Sequence, residues 1–245
     1  MGFKEQLEAA KAGDPNAQTA LGYLFFTGNG VVRDRREAAR WFGLAADQGS
    51  AEAICNLGYM RVHGEGLSCN FEKGFELYKK SAEMGYPRAM FNLADLYSDG
   101  RGTEQDWNLA RYWYERAAAH GSIPAYYRLG VMYEMGRGVE TDYAMSAEIY
   151  RTCFSEEYAK AGYRLGLMHL EGRGMPKNPE AAAKILIKAA GLLSEEAMCQ
   201  LGKMSISGEG MPKSSRNAKI WFSKAAARGS EEAKAILASN ALDGQ

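Results

Sequence analysis

At 245 residues the chain is long enough for one large domain or two small ones, and either can bury a substantial core. Thirty basic residues balance thirty acidic ones, so no net field draws phosphate backbones or anionic lipid, which argues against nonspecific nucleic-acid or membrane binding and leaves room only for a local patch. No run of about 18 apolar residues is present to span a bilayer, the opening Met1-Gly2-Phe3-Lys4-Glu5 lacks the basic-then-apolar plan of a secretory leader, and the chain as given is expected to be cytoplasmic.

The first expected element is a helix over residues 3 to 13, with Ala9, Ala10 and Gly13 near its end. Next, Ala17 and Leu21 stand four residues apart with Leu24 one turn on, which places a packing stripe on one face of a helix A that stops at Gly28-Asn29-Gly30. Ala38, Trp41 and Ala45-Ala46 then mark a helix B. It closes at Gly49, where a left-handed cap needs a residue without a Cβ.

From here the unit recurs every 36 residues. The glycine pair returns at Gly64/Gly66, Gly100/Gly102, Gly136/Gly138, Gly172/Gly174 and Gly208/Gly210, with no insertion between copies. The alanine column continues through Ala53, Ala89, Ala125, Ala161, Ala197 and Ala233, and the leucine column through Leu57, Leu93, Leu129, Leu165, Leu201 and Leu237. Helix B repeats in register as Ala110, Trp113 and Ala117-Ala118, and as Ala218, Trp221 and Ala225-Ala226, with further closing glycines at Gly85, Gly121 and Gly229. Some copies depart: Gly74 and Ser146 replace the helix B alanine, Ala94 replaces the glycine after Leu93, and Leu77, Ile149 and Ile185 replace tryptophan. Repeats four and five lack the closing glycine, at Glu157 and Leu193, so the stacking angle at those two turns is expected to differ. Trp107 falls outside the tryptophan register.

A lone helix pair cannot bury its apolar stripe without neighbours. The expectation is one continuous domain, with an N-terminal capping helix in residues 1–15, six 36-residue repeats over 16–230 and a C-terminal capping helix in 231–245.

The pattern A-x-x-x-L-G…G-x-G…A-x-x-W-x-x-x-A-A-x-x-G resembles the Sel-one-like repeat family, a branch of the tetratricopeptide superfamily, whose own units run about 34 residues. The resemblance implies an all-α fold, an α/α right-handed superhelical solenoid of stacked antiparallel helix pairs that acts as an adaptor or scaffold and not as an enzyme. Cysteine-rich members of the family carry paired cysteines in each repeat and are discussed as β-lactam binders or hydrolases. Cys55, Cys69, Cys153 and Cys199 form no such pairs, so that property does not carry over.

The chemical motifs point the same way. None of the G-x-G turns follows an expected strand or extends to a phosphate-binding motif, and the middle residue varies through Asn29, Glu65, Arg101, Arg137, Arg173 and Glu209, so they are expected to end helices. His63, His120 and His169 are too few and too scattered for a zinc site or a triad, and no metal or cofactor is expected.

In this superfamily the A helices line the concave face. The residues off the core stripe, spaced by three and four, therefore become the candidate partner site: Tyr59 and His63, Asn92 and Asp95, Arg128, Val131 and Met135, and Arg164, Leu167 and Glu171, flanked by Tyr127 and Tyr163. This column changes chemistry from copy to copy while the core stripe does not. Arg128 and Arg164 are expected to grip a carboxylate as charge-assisted forks, with Val131, Met135 and Leu167 taking apolar side chains. The expected partner is a protein or peptide. The alternatives are an immunity-type inhibitor of a toxin and, more remotely, a β-lactam-binding hydrolase.

Overall fold

The computed structural model describes residues 2–239, and among them every regular element is an α-helix. α1 (Phe3–Lys11) precedes six A and B pairs: α2 (Pro15–Thr27) with α3 (Arg35–Asp47), α4 (Ala51–His63) with α5 (Phe71–Glu83), α6 (Pro87–Asp99) with α7 (Trp107–Ala119), α8 (Ile123–Met135) with α9 (Tyr143–Ser155), α10 (Ala159–Glu171) with α11 (Pro179–Gly191), and α12 (Glu195–Ser207) with α13 (Ser215–Ala227). α14 (Glu231–Ala238) follows. The chain packs as two compact units, one up to Ala125 and one from Tyr126. Within each, consecutive helices lie against one another.

Polar side chains set where the B helices start. Asp34, Asn70, Asp106, Asp142, Asn178 and Ser214 occupy one column of the repeat, and each accepts from a backbone N–H in the first turn of the helix that follows. Trp107 also has a place in the register, because it opens α7 as Arg35, Phe71, Tyr143 and Pro179 open their own helices.

The two glycines of each pair do different things. The first is the left-handed cap: the Gly28 N–H reaches the Leu24 carbonyl at 2.8 Å with φ +77°, and Gly64, Gly100, Gly172 and Gly208 repeat the arrangement. At Gly66, Gly102, Gly174 and Gly210 the second lies against the first residue of the preceding B helix. A Cβ on Gly66 would sit 2.5 Å from the Arg35 carbonyl carbon, and one on Gly210 would sit 2.2 Å from the Pro179 oxygen. The middle residue then answers the same neighbour, as Glu65 does by pairing with Arg35, and as Arg101 does with its guanidinium 5.4 Å from the Phe71 ring centre. These turns are thus joints between repeats as well as helix ends.

The turns at Glu157 and Leu193 keep the geometry of the others. Both residues adopt the left-handed conformation, with φ of 60° and 70°. The bond that closes the turn is retained too: Tyr158 N–H to the Cys153 carbonyl at 3.1 Å and Ser194 N–H to Ala189 at 3.1 Å match Ser50 N–H to Ala45 at 3.0 Å. The loss of glycine has changed the strain of these turns and not their shape.

The alanine column is buried throughout and the leucine column mostly so, Leu57 and Leu237 being only partly covered. The deepest large side chains stand one residue after the tryptophan column, at Phe42, Tyr78, Tyr114, Tyr150, Leu186 and Phe222. The facing A helix makes room for them with glycine: a Cβ on Gly22 would lie 2.5 Å from the Phe42 ring, and one on Gly202 would lie 2.7 Å from Phe222. The tryptophan column is less uniform, since Trp41 and Trp113 are buried and Trp221 is only partly so. Two departures in helix B are also explained. Ser146 donates to the Gly130 carbonyl at 2.9 Å, and Gly74 leaves space that Val62 occupies.

At the start of the first unit, α1 buries Ala10 against Ala17, Leu21 and Trp41, with Leu7 and Leu24 at the margin. No helix among the described residues is long and apolar enough to cross a membrane.

Candidate functional site

In the first unit the exposed faces of α2, α4 and α6 carry a cluster of rings. The Phe26 and Tyr59 rings meet edge to face with centres 6.0 Å apart, Tyr59 packs on His63 at 4.2 Å, and the Arg88 guanidinium lies 5.9 Å from the Tyr59 centre. Beside them is a cavity of about 30 Å³, bordered by Tyr23, Phe26, Asn56, Tyr59, Met60 and Arg88. The Tyr23 hydroxyl oxygen lies 3.1 Å from both the Glu52 carboxylate and the Asn56 carboxamide, its single proton shared between them, and burial raises its pKa.

Asn56 is only 5% exposed. Its carboxamide oxygen is taken by Tyr23, while its Nδ2 has no hydrogen-bond partner among the described residues. A buried amide donor left unmatched costs about 1–3 kcal/mol. Nearby, Asn92 Nδ2 lies 3.9 Å from the Cys55 sulfur, and Asp95 accepts from the Tyr114 hydroxyl at 2.5 Å. Asp95 is therefore engaged by the core side chain of the next helix.

In the second unit, Tyr127 packs on Tyr150 and Tyr158, with centres 5.5 and 5.1 Å away. Met135 is 44% exposed, Arg128 and Glu171 are exposed, and Val131, Tyr163 and Leu167 are partly exposed. Burial raises the pKa of the Tyr163 phenol.

The expected pair of open guanidinium forks is not formed. Arg164 Nη1 lies 3.5 Å from Glu134, whose side chain is 4% exposed and also accepts from Tyr150 at 2.7 Å and from Arg173 at 3.0 Å. Arg173 in turn pairs with Glu171. Burial is the largest single influence on Arg164 and works against its charge, but Glu134 together with Tyr127 and Tyr150 outweighs it and the pKa is raised. Glu134 escaped the sequence reading, although its column offers a signal: the other copies are Phe26, Val62, Ser98, Leu170 and Ile206, so a carboxylate there must find partners.

Little here suits covalent chemistry. Burial pushes the Cys55 thiol up to about 12 and Cys153 up to about 11, and it raises Cys199 as well, so these groups stay protonated and unreactive at neutral pH. Burial, and after it the charge of Arg151, lowers the pKa of His169. Among the described residues no three His, Cys, Asp or Glu side chains gather in a way that could hold a metal ion.

The Sel1 repeat profile matches residues 15–50, 51–86, 87–122, 123–152, 159–192 and 195–230. Over its full length the chain is similar to the crystal structure of a protective antigen of uropathogenic Escherichia coli strains displaying an SLR fold, with 30% identity and a TM-score of 0.87, and it spans 52% of that chain. A Sel1 repeat protein from Oxalobacter formigenes is 29% identical with a TM-score of 0.83, matching 92% of this chain and 88% of its own. An immunity protein from Pseudomonas aeruginosa shares the fold at 17% identity and a TM-score of 0.55, over 86% of this chain and 81% of its own. No curated protein matches the sequence.

Proposed function

The chain belongs to the Sel1 repeat family, whose members typically mediate protein–protein interaction, and from that premise we propose that it is a non-catalytic scaffold holding a segment of a partner protein against the exposed faces of its A helices. The ring cluster around Tyr59 carries this reading. Phe26 meets Tyr59 edge to face, Tyr59 packs on the exposed His63, and the Arg88 guanidinium stands beside them. The Tyr59 and His63 rings give a flat apolar surface to a partner side chain, and Arg88 suits a carboxylate next to it. In the second unit Val131, Met135 and Leu167, with Tyr127, Arg128, Tyr163 and Glu171 around them, form a second contact surface of apolar anchors and a polar rim. An immunity-type inhibitor is the same reading with a toxin as the partner. The likeness to the Pseudomonas immunity protein supports only its fold.

The test uses the purified chain as bait, with bound proteins quantified by mass spectrometry. Tyr59→Ala with His63→Ala, and separately Val131→Asp with Leu167→Asp, are expected to lose partners that the wild type retains, while circular dichroism shows an unchanged helix content. Recovery of the same partners in the same amounts by both variants would sink the proposal.

A further inference from the structure

Although the chain is balanced overall, its cations are not evenly spread. Residues 179–191 carry Lys184 and Lys188 against Glu180, and residues 215–228 carry Arg216, Lys219, Lys224 and Arg228 with no carboxylate, which makes six cations to one anion. α5, the corresponding helix of the second repeat, holds three lysines and three glutamates. α3, α7 and α11 each carry one cation more than they have carboxylates, so the excess is concentrated on α13 and the residue that ends it, within the second unit.

Between these two helices, at their C-terminal ends, lies a cavity of about 470 Å³ bordered by Ile187, Leu193, Met198, Trp221, Lys224 and Arg228. Its volume is in the range of ligand-binding clefts and its walls are apolar. Ile187 is 47% exposed and Leu193 is 58% exposed. The cations stand at its margin: the Lys224 ammonium lies 4.8 Å from the Trp221 ring centre, and Arg228 Nε donates to the Leu193 carbonyl at 3.0 Å, fastening the turn to the end of α13.

Leu193 supplies a second, independent observation. It takes the left-handed conformation at a position where Gly49, Gly85, Gly121 and Gly229 take it without strain. The leucine side chain does not compensate by filling the core, since more than half of it faces solvent. A strained backbone that displays an apolar side chain at the mouth of a cavity is the kind of feature that marks a contact surface.

We propose that this cleft is a docking site for an acidic segment of a partner protein that inserts one apolar side chain between Ile187 and Leu193. This surface is built from two B helices and the turn after α11, with only Met198 from an A helix, and includes none of the residues used in the reading above, so it does not depend on it. Charge complementarity selects the occupant: the basic margin attracts carboxylates, and the apolar interior accepts the anchor. A nucleic-acid strand would leave the interior unused, and Lys224 already covers the Trp221 ring on which a base would stack. A lipid surface needs apolar side chains that protrude, whereas these border a recess.

The test pans phage-displayed random 16-residue peptides on the full chain and measures the synthetic consensus peptide by fluorescence anisotropy. The expected consensus is rich in Asp and Glu around a Leu, Phe or Trp, and its binding weakens with added salt. Leu193→Gly is expected to raise the melting temperature while weakening the peptide by about tenfold. Glu157→Gly, which relieves the same turn one repeat earlier, raises the melting temperature and leaves the affinity unchanged. Lys224→Glu abolishes binding, and Ile187→Ser provides a variant that leaves the turn alone. The proposal is overturned by a panel with no Leu193-dependent binder, by a basic consensus, or by equal affinity for wild type and Leu193→Gly. It is also overturned if vesicles containing 30% phosphatidylserine or a 20-nucleotide single strand bind through Leu193 in place of the peptide.

Discussion

Glu134 is held out of water by one tyrosine and two arginines, and this changes what a substitution at Arg164 reports. A change to glutamate removes one cation and sets a second carboxylate beside a buried one. Arg164→Glu should therefore destabilise the fold by about 3–5 kcal/mol, whereas Arg164→Met, which keeps the apolar stem, should cost less. Urea titration of the two variants checks the order, and equal midpoints would mean that the Arg164 contact contributes nothing. Sequence spacing places Arg164 off the core stripe of its A helix. It could not show that its guanidinium bends to a carboxylate 30 residues earlier, because that depends on how close neighbouring A helices approach. The same holds for Asp95, which reads as a polar residue awaiting a partner and is held by Tyr114.

The strain described at the B-to-A turns belongs to the element. Because Glu157 sits where a Cβ is penalised and makes no use of being other than glycine in the turn's hydrogen bonds, Glu157→Gly is expected to stabilise the chain by about 1 kcal/mol, a rise of roughly 2–4 °C in melting temperature. Scanning calorimetry decides it, and a lower transition would show that the Glu157 side chain contributes more than the turn strain costs. The helices themselves were legible because small residues, leucines and glycine pairs recur in fixed columns. The B-helix caps at Asp34 and its equivalents were equally open to a column reading, which the search for apolar periodicity passed over. The depth of Phe42 and Phe222 was not legible from their own chemistry, because two adjacent aromatics on a helix look alike. What decides between them is the missing Cβ on the opposite helix, at Gly22 and Gly202.

Across the whole molecule, stability passes between neighbours, so the ends matter more than their length suggests. Removing residues 1–13 uncovers Leu21 and Trp41 and leaves the buried Gln18 amide without the Ala10 carbonyl that it donates to at 3.1 Å. Hydrogen exchange should then show lost protection around Leu21, with protection kept in the later repeats of the first unit. Unchanged exchange at Leu21 would rule out a capping role for α1. Composition read over the whole chain conceals a different feature, since a net charge of zero is a sum and says nothing about the cations gathered along α13.

The second glycine of each pair has a consequence at the level of the gene. Gly66, Gly102, Gly174 and Gly210 meet the backbone of the preceding helix, and the residue they meet is in turn Arg35, Phe71, Tyr143 and Pro179. The glycine's part of the joint meets main-chain atoms and the Cβ beside them, so it accepts different side chains at the residue it meets. Tandem duplication or deletion of 36 codons would bring together two segments that had never been neighbours, and the joint would still close. Away from the middle residue of the turn, which answers a side chain of the neighbour, each copy is then free to diverge on its outward surface, so an array of this kind can gain a new binding surface by copying an old unit and altering it.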